Sequence, residues 1–113
     1  MIQVQKQSDE LGLVGEITHI NPELIHDSLA NGYIPVISSI GTDGKGVSYN
    51  INAEYGAAEI AGALQAECMI SLTNIDGVLR NPDDPSTLFH SLTMQDVQQL
   101  TDEGIIAGGM IPK

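Results

Sequence analysis

The stretch that decides the fold is residues 33–73, YIPVISSIGTDGKGVSYNINAEYGAAEIAGALQAECMISLT. Its first part, YIPVISSI (33–40), is a short continuous apolar run, the pattern of a strand buried on both faces. MISLT (69–73) repeats that pattern. Between them lie a glycine-rich loop, GTDGKGVSYN (41–50), and the helical segment AEYGAAEIAGALQA (53–66). In that segment Ala53, Ala57, Ile60, Ala61 and Leu64 fall on one stripe. Strand, amphipathic helix and strand predict a parallel pair in one sheet, with the helix as crossover.

Outward from this unit the same two periods continue. IQVQK (2–6) and LVGEITHI (13–20) read as strands of a hairpin, joined by the polar turn QSDELG (7–12). Asn21-Pro22 opens a helix: Asn caps free backbone N–H groups and Pro suits the first helical position. Leu24, Ile25, Ser28 and Leu29 form one face of it, and Gly32 stops it. NIDGVLRNPDDPSTLF (74–89) reads as a long irregular connection. Thr93 with Asp96 forms a capping pair for a helix through Glu103, ended by Gly104. The order β-β-α-β-α-β-α predicts an α/β sandwich with a mainly parallel sheet and an N-terminal β-hairpin.

Composition narrows the function. Fifteen acidic residues stand against four cations, Lys6, Lys45, Arg80 and Lys113, giving a net charge of −11. That charge argues against nucleic-acid and anionic-membrane binding, both of which need a dense basic face. No run approaches the roughly 20 apolar residues of a membrane span. The start, MIQVQKQSDELG, lacks the basic segment and apolar core of a secretory signal. One cysteine, Cys68, makes no internal disulfide, which fits the cytoplasm; it is expected in the core, beside a buried strand. His19, His26 and His90 have no metal-site spacing, so no metal-ligating residues are expected.

Ligands of α/β sheets bind beyond the carboxyl ends of the strands, which directs attention to the loops after Ile40 and Thr73. In the first, Asn52 suits a helix cap. Asn50 lies just outside the helix and offers two amide donors and an acceptor. Glu54 suits the positive end of the helix dipole, or can hold a catalytic lysine; composition alone leaves both open. In the second, Arg80, Asp83 and Asp84 read as solvated loop charges. At the end, Gly108-Gly109-Met110-Ile111-Pro112-Lys113 carries a weak phosphate-site signal: two glycines let backbone approach an anion, and a lysine adds a point charge.

LGLVGEITHINPELI, GYIPVISSIG, SYNINAEYGAAEIAGAL, ISLTNIDGVL and GIIAGGMIPK follow one another along the chain. In that order and spacing they resemble the acetylglutamate kinases of the amino-acid-kinase superfamily. The combination of VGEITHINPE, YNINA and GGMIPK resembles these rather than aspartate, glutamate, carbamate or uridylate kinases. The resemblance implies a partial amino-acid-kinase-like α/β/α sandwich. Residues 1–20 would be a hairpin from the substrate side. Residues 21–113 would be a nucleotide-binding α/β region, truncated at the C-terminus where a helix should begin. It implies a parent that is a cytoplasmic homo-oligomer. That parent would transfer the γ-phosphoryl of ATP, with Mg²⁺, to the side-chain carboxylate of N-acetyl-L-glutamate in arginine biosynthesis. Some members bind arginine or the PII protein as regulators.

The resemblance also assigns residues. Asn50 would bind acetylglutamate, and Lys113 would stabilise charge on the transferring phosphoryl group. Glu54 stands where the family usually has an Asp that organises catalytic lysines. Asn74, Ile75, Asp76, Gly77, Val78 and Leu79 would line the ATP site, as would Ile105, Ile106 and Ala107. Asn74 also replaces a usual Asp. The family's N-terminal lysine, glycine-rich phosphate loop and substrate-binding arginine have no counterpart in these residues. This stretch by itself is therefore expected to be inactive, and a non-catalytic nucleotide-binding or scaffold role is the alternative.

Overall fold

A computed structural model describes residues 1–73 and 77–108. They belong to two compact units, Met1–Ile70 and Ser71–Lys113. The first unit is built on β1 (Ile2–Lys6), β2 (Gly15–Ile20), α1 (Glu23–Ala30), β3 (Ile40–Thr42), β4 (Ser48–Asn50) and α2 (Ala53–Ala63). The sheet order is β2-β1-β3-β4. β1 and β2 pair antiparallel, from Ile2 opposite Ile20 to Lys6 opposite Gly15, which is the expected hairpin. β1 and β3 run parallel, with Gln3 opposite Thr42. β3 and β4 pair antiparallel. The class is α/β as expected, and the sheet is mixed, with its parallel contact confined to β1 and β3.

The core follows from alternation. Ile2 and Val4 point inward while Gln3 and Gln5 face solvent, the period of two that a half-buried strand imposes. They pack with Ile20, Tyr49 and Ile51, and Ile17, Ile37, Ile60 and Ala63 close around them. Two glycines permit this approach. A Cβ at Gly15 would stand 2.9 Å from Tyr49 Cβ, and one at Gly41 would run into Val4 Cγ1. Gly41→Val is expected to destabilise this unit by about 1–3 kcal/mol through overpacking, although valine is the better strand former. Urea unfolding should show a lower midpoint with an unchanged slope; an unchanged midpoint contradicts the packing.

The segment 41–50, expected as a glycine-rich loop, is mostly hairpin. Asp43 Oδ1 accepts from the N–H of Lys45 (2.8 Å) and of Val47 (3.2 Å). Gly44 and Gly46 take φ of +75° and +98°, conformations open to glycine at little cost. This turn chemistry folds 40–42 back on 48–50.

The two apolar runs differ from expectation. Residues 33–39 and 69–73 form no strand, and the expected parallel pairing between them does not occur. Apolarity marks a segment for burial, but a strand exists only when a neighbour takes up its backbone groups. No described strand lies alongside either run. Leu24 and Leu29 of α1 are likewise exposed, leaving Ile25 as its buried residue. Cys68, expected in the core, is exposed and free.

Asn52 caps α2 as expected, its Oδ1 accepting from Tyr55 N–H at 3.0 Å. At α1 the cap position is Pro22, without a side-chain cap, and Asn21 Oδ1 just outside it accepts from Glu23 N–H at 2.9 Å. In the second unit, α3 (Met94–Asp102) opens with a complete capping box. Thr93 Oγ1 accepts from Asp96 N–H, and Asp96 Oδ2 accepts from Thr93 N–H at 2.8 Å and from its hydroxyl at 2.6 Å. The Thr93 hydroxyl, then its N–H, holds the Asp96 carboxyl below the usual carboxylate range. Leu100 and Ile106 are the buried apolar residues here. No helix of the described residues is long and apolar enough to cross a membrane.

Candidate functional site

In the first unit, the β4–α2 junction carries both Asn50 and Glu54. Asn50 ends β4, and its backbone N–H donates to Leu13 O at 2.9 Å. Ile51 follows, buried, with its N–H on Ser39 O at 3.0 Å. These two bonds fix the backbone on either side of the Asn50 side chain. That side chain is exposed and makes no hydrogen bond among the described residues. Asn52 then caps α2, which settles its expected role. Glu54 sits in the first turn of α2, half-buried, with no ion pair among the described residues. The exposed N–H groups of that turn favour its negative charge.

Neither Asn50 nor Glu54 lines a described cavity. A cleft of ≈ 520 Å³ beside the same helix start is lined by Gln7, Glu16, Asn52, Tyr55 and Glu59 among others. It received no assignment from the sequence, because its walls come from β2 and α2 and share no motif.

In the second unit, Gly77, Val78 and Leu79 enter a short clasp. Leu79 bridges Leu88 antiparallel, Phe89 N–H donates to Val78 O at 2.9 Å, and Arg80 N–H donates to Thr87 O at 3.1 Å. Gly77 has φ +140°, and a Cβ there would stand 3.0 Å from Leu88 Cδ1. The return limb is set by Asp84, which caps the 3-10 turn Pro85–Thr87 through Ser86. The Ser86 hydroxyl, then its N–H, keeps the Asp84 carboxyl below its ordinary range. Residues 77–89 are thus more ordered than the irregular connection expected.

Arg80 is exposed, as expected of a loop charge, and it is also engaged. Its guanidinium lies 5.5 Å from the centroid of the Phe89 ring, and Nη1 is 3.5 Å from Glu103 Oε2. The bridge joins the clasp to the end of α3, so residues 77–79 and 105–107 flank one ion pair. Ile105 is half-buried, Ile106 is 6% exposed and Ala107 is exposed. The Ile106 side chain is therefore core, and that residue offers a ligand backbone atoms only. Asn74, Ile75, Asp76 and Lys113 lie outside the described residues.

Charge is scarce where anions would have to bind. Lys6 is held by Asp9 at 2.7 Å, whose carboxylate raises the Lys6 pKa by hydrogen bonding and then by charge. Arg80 is held by Glu103. Lys45 has no ion pair among the described residues. No cluster of three His, Cys, Asp or Glu side chains among the described residues is placed to hold a metal.

A mixed sheet within an α/β unit, its parallel contact between β1 and β3, and motifs matched along the whole chain, define the class. The chain matches the amino acid kinase family over residues 1–113, and it belongs to that family. Within it, the chain is 49% identical to the acetylglutamate kinase of Heliobacterium modesticaldum over 104 residues, 92% of this chain and 35% of the relative. It is 46% identical to that of Moorella thermoacetica over 114 aligned residues, 97% of this chain and 38% of the relative. The fold is similar to the crystal structure of smu.665 from Streptococcus mutans UA159, with TM-score 0.85 and 37% identity, covering 98% of this chain and 44% of that one. The chain thus spans little more than a third of the curated relatives it matches.

Proposed function

We propose that these residues are the nucleotide-side part of a kinase that phosphorylates the side-chain carboxylate of N-acetyl-L-glutamate. The observation that carries this is 46–49% identity to acetylglutamate kinases over nearly the whole chain. Residues 1–20 would face the acetylated substrate, and residues 21–113 would belong to the nucleotide side. Asn50 is the acceptor-binding residue: its amide is free among the described residues, on backbone fixed at both sides. Gly77, Val78, Leu79, Ile105, Ile106 and Ala107, with Asn74, Ile75 and Asp76, would hold ATP. Lys113 would stabilise charge on the transferring group, and Glu54 would orient a lysine.

Phosphoryl transfer is chiefly positioning and electrostatics. Mg²⁺ would neutralise the ATP phosphates, which it would accompany into the site. Glu54 carries one methylene more than the family's usual Asp. A lysine held by it would be shifted by about an ångström, enough to cost rate. The free cations that the reaction needs exceed what residues 1–108 offer, since Lys6 and Arg80 are already paired. That shortage favours a second reading for the isolated chain, as a nucleotide-binding scaffold without turnover.

The test uses a chimera in which these 113 residues replace the matching segment of the Moorella enzyme. Asn50→Ala should raise the KM for N-acetylglutamate about tenfold or more, the value of one hydrogen bond to a charged partner. The KM for ATP should hold. Equal effects on both substrates would remove Asn50 from the acceptor site.

A further inference from the structure

In the second unit, segments 77–79 and 105–107 each adjoin a fixed stretch of backbone. Arg80 N–H donates to Thr87 O at 3.1 Å and Phe89 N–H to Val78 O at 2.9 Å, which holds the chain just after Gly77. At the end of α3, Glu103 N–H donates to Gln99 O at 2.9 Å, and the N–H groups of Ile105 and Ile106 both donate to Leu100 O. The side chains of Arg80 and Glu103 join these two anchors. Glu103 Oε1 accepts from Gln99 Nε2 at 2.7 Å, while Oε2 lies 3.5 Å from Arg80 Nη1. The guanidinium also lies over the Phe89 ring, 5.5 Å from its centroid. A cleft of ≈ 190 Å³, lined by Arg80, Phe89, Asp96 and Gln99 among others, opens beside them. Close packing therefore does not fix the spacing of clasp and α3 at that point, and the ion pair spans it.

We propose that Arg80 and Glu103 are positioning residues for the nucleotide, a latch that sets the spacing of segments 77–79 and 105–107. This rests on the reading that those segments line the ATP site. Arg80 acts through the backbone it ties down and does not touch the phosphates. Its side chain is 56% exposed and that of Glu103 38%, so each contact of the latch is weak by itself. Losing the latch lowers the share of molecules with the ATP-competent spacing severalfold and does not abolish it.

The sign of the effect at Glu103 separates this latch from a direct phosphate contact by Arg80. In the Moorella chimera, Mg-ATP binding is measured by calorimetry without acceptor, well below the melting midpoint. Arg80→Gln and Glu103→Gln should each weaken it about threefold or more, the scale of one partly exposed ion pair. If Arg80 met the phosphates itself, Glu103→Gln would tighten binding, because it removes a negative charge near an anion. The double variant should bind no worse than Arg80→Gln alone, since one bridge is lost only once. The KM for N-acetylglutamate should hold in all three variants, which a general loss of folding would not allow. The inference is overturned by tighter binding in Glu103→Gln, by additive effects, by a smaller change in either single variant, or by an equal rise in the KM for N-acetylglutamate. ATP binding that responds as expected in a chimera without turnover upholds the latch and counts against the proposed reaction. A chimera that binds no ATP overturns the nucleotide reading, and the latch with it.

Discussion

Assayed alone with Mg-ATP and N-acetylglutamate, the 113-residue chain is expected to form no detectable acetylglutamyl phosphate. The transferring phosphoryl group spreads charge over its equatorial oxygens and needs fixed positive partners on opposite sides. This chain carries four cations against fifteen carboxylates. Lys6 is engaged by Asp9, and Arg80 by Phe89 and Glu103. Freeing Arg80 would break its contacts with Phe89 and Glu103. Removing one oxyanion-type donor commonly costs about a hundredfold to a thousandfold, and several would be missing together. Trapping the acyl phosphate with hydroxylamine makes the measurement. Turnover of about 1–100 per second, ordinary for a kinase, would mean that Lys45 or Arg80 serves the reaction after all.

In the Moorella chimera, Lys113→Ala is expected to lower kcat about a hundredfold to a thousandfold, the value of one preorganised positive group at the transition state. Because charge on the transferring oxygens develops only during reaction, kcat should fall more than either KM rises. Lys113→Arg should recover only part of the rate, since a planar guanidinium presents its charge differently from a compact ammonium. A threefold change or less would remove Lys113 from the candidate catalytic residues.

Local chemistry made several elements legible. The Ile2/Val4 alternation specified the hairpin, Asn52 announced the start of α2, and the Thr93–Asp96 pair announced α3. These signals act within a few residues and need nothing distant. The apolar runs at 33–39 and 69–73 were legible as segments to be buried, but not as strands, because strand formation depends on a neighbour. Ile70 and Leu72 are 81% and 93% exposed as a result. The turn at 43–47 went unread because glycine richness masked the Asp43 side chain, which organises it. At the candidate site, the cap at Asn52 placed Glu54 in the first turn of α2, whereas the strand that ends at Asn50 lay inside the segment read as a loop. The engagement of Arg80 was not legible, because Phe89 and Glu103 meet it only through the clasp and α3.

The most direct measurement compares acceptors in the chimera carrying these 113 residues. With Mg-ATP in excess, kcat/KM is determined for N-acetylglutamate, glutamate, aspartate, carbamate and uridylate. N-acetylglutamate should be preferred by at least about a hundredfold, since a site built around an acyl amide leaves polar groups unpaired with any acceptor lacking one. A folded, nucleotide-binding chimera that prefers another acceptor, or phosphorylates none, would contradict the assignment of these residues to an acetylglutamate kinase.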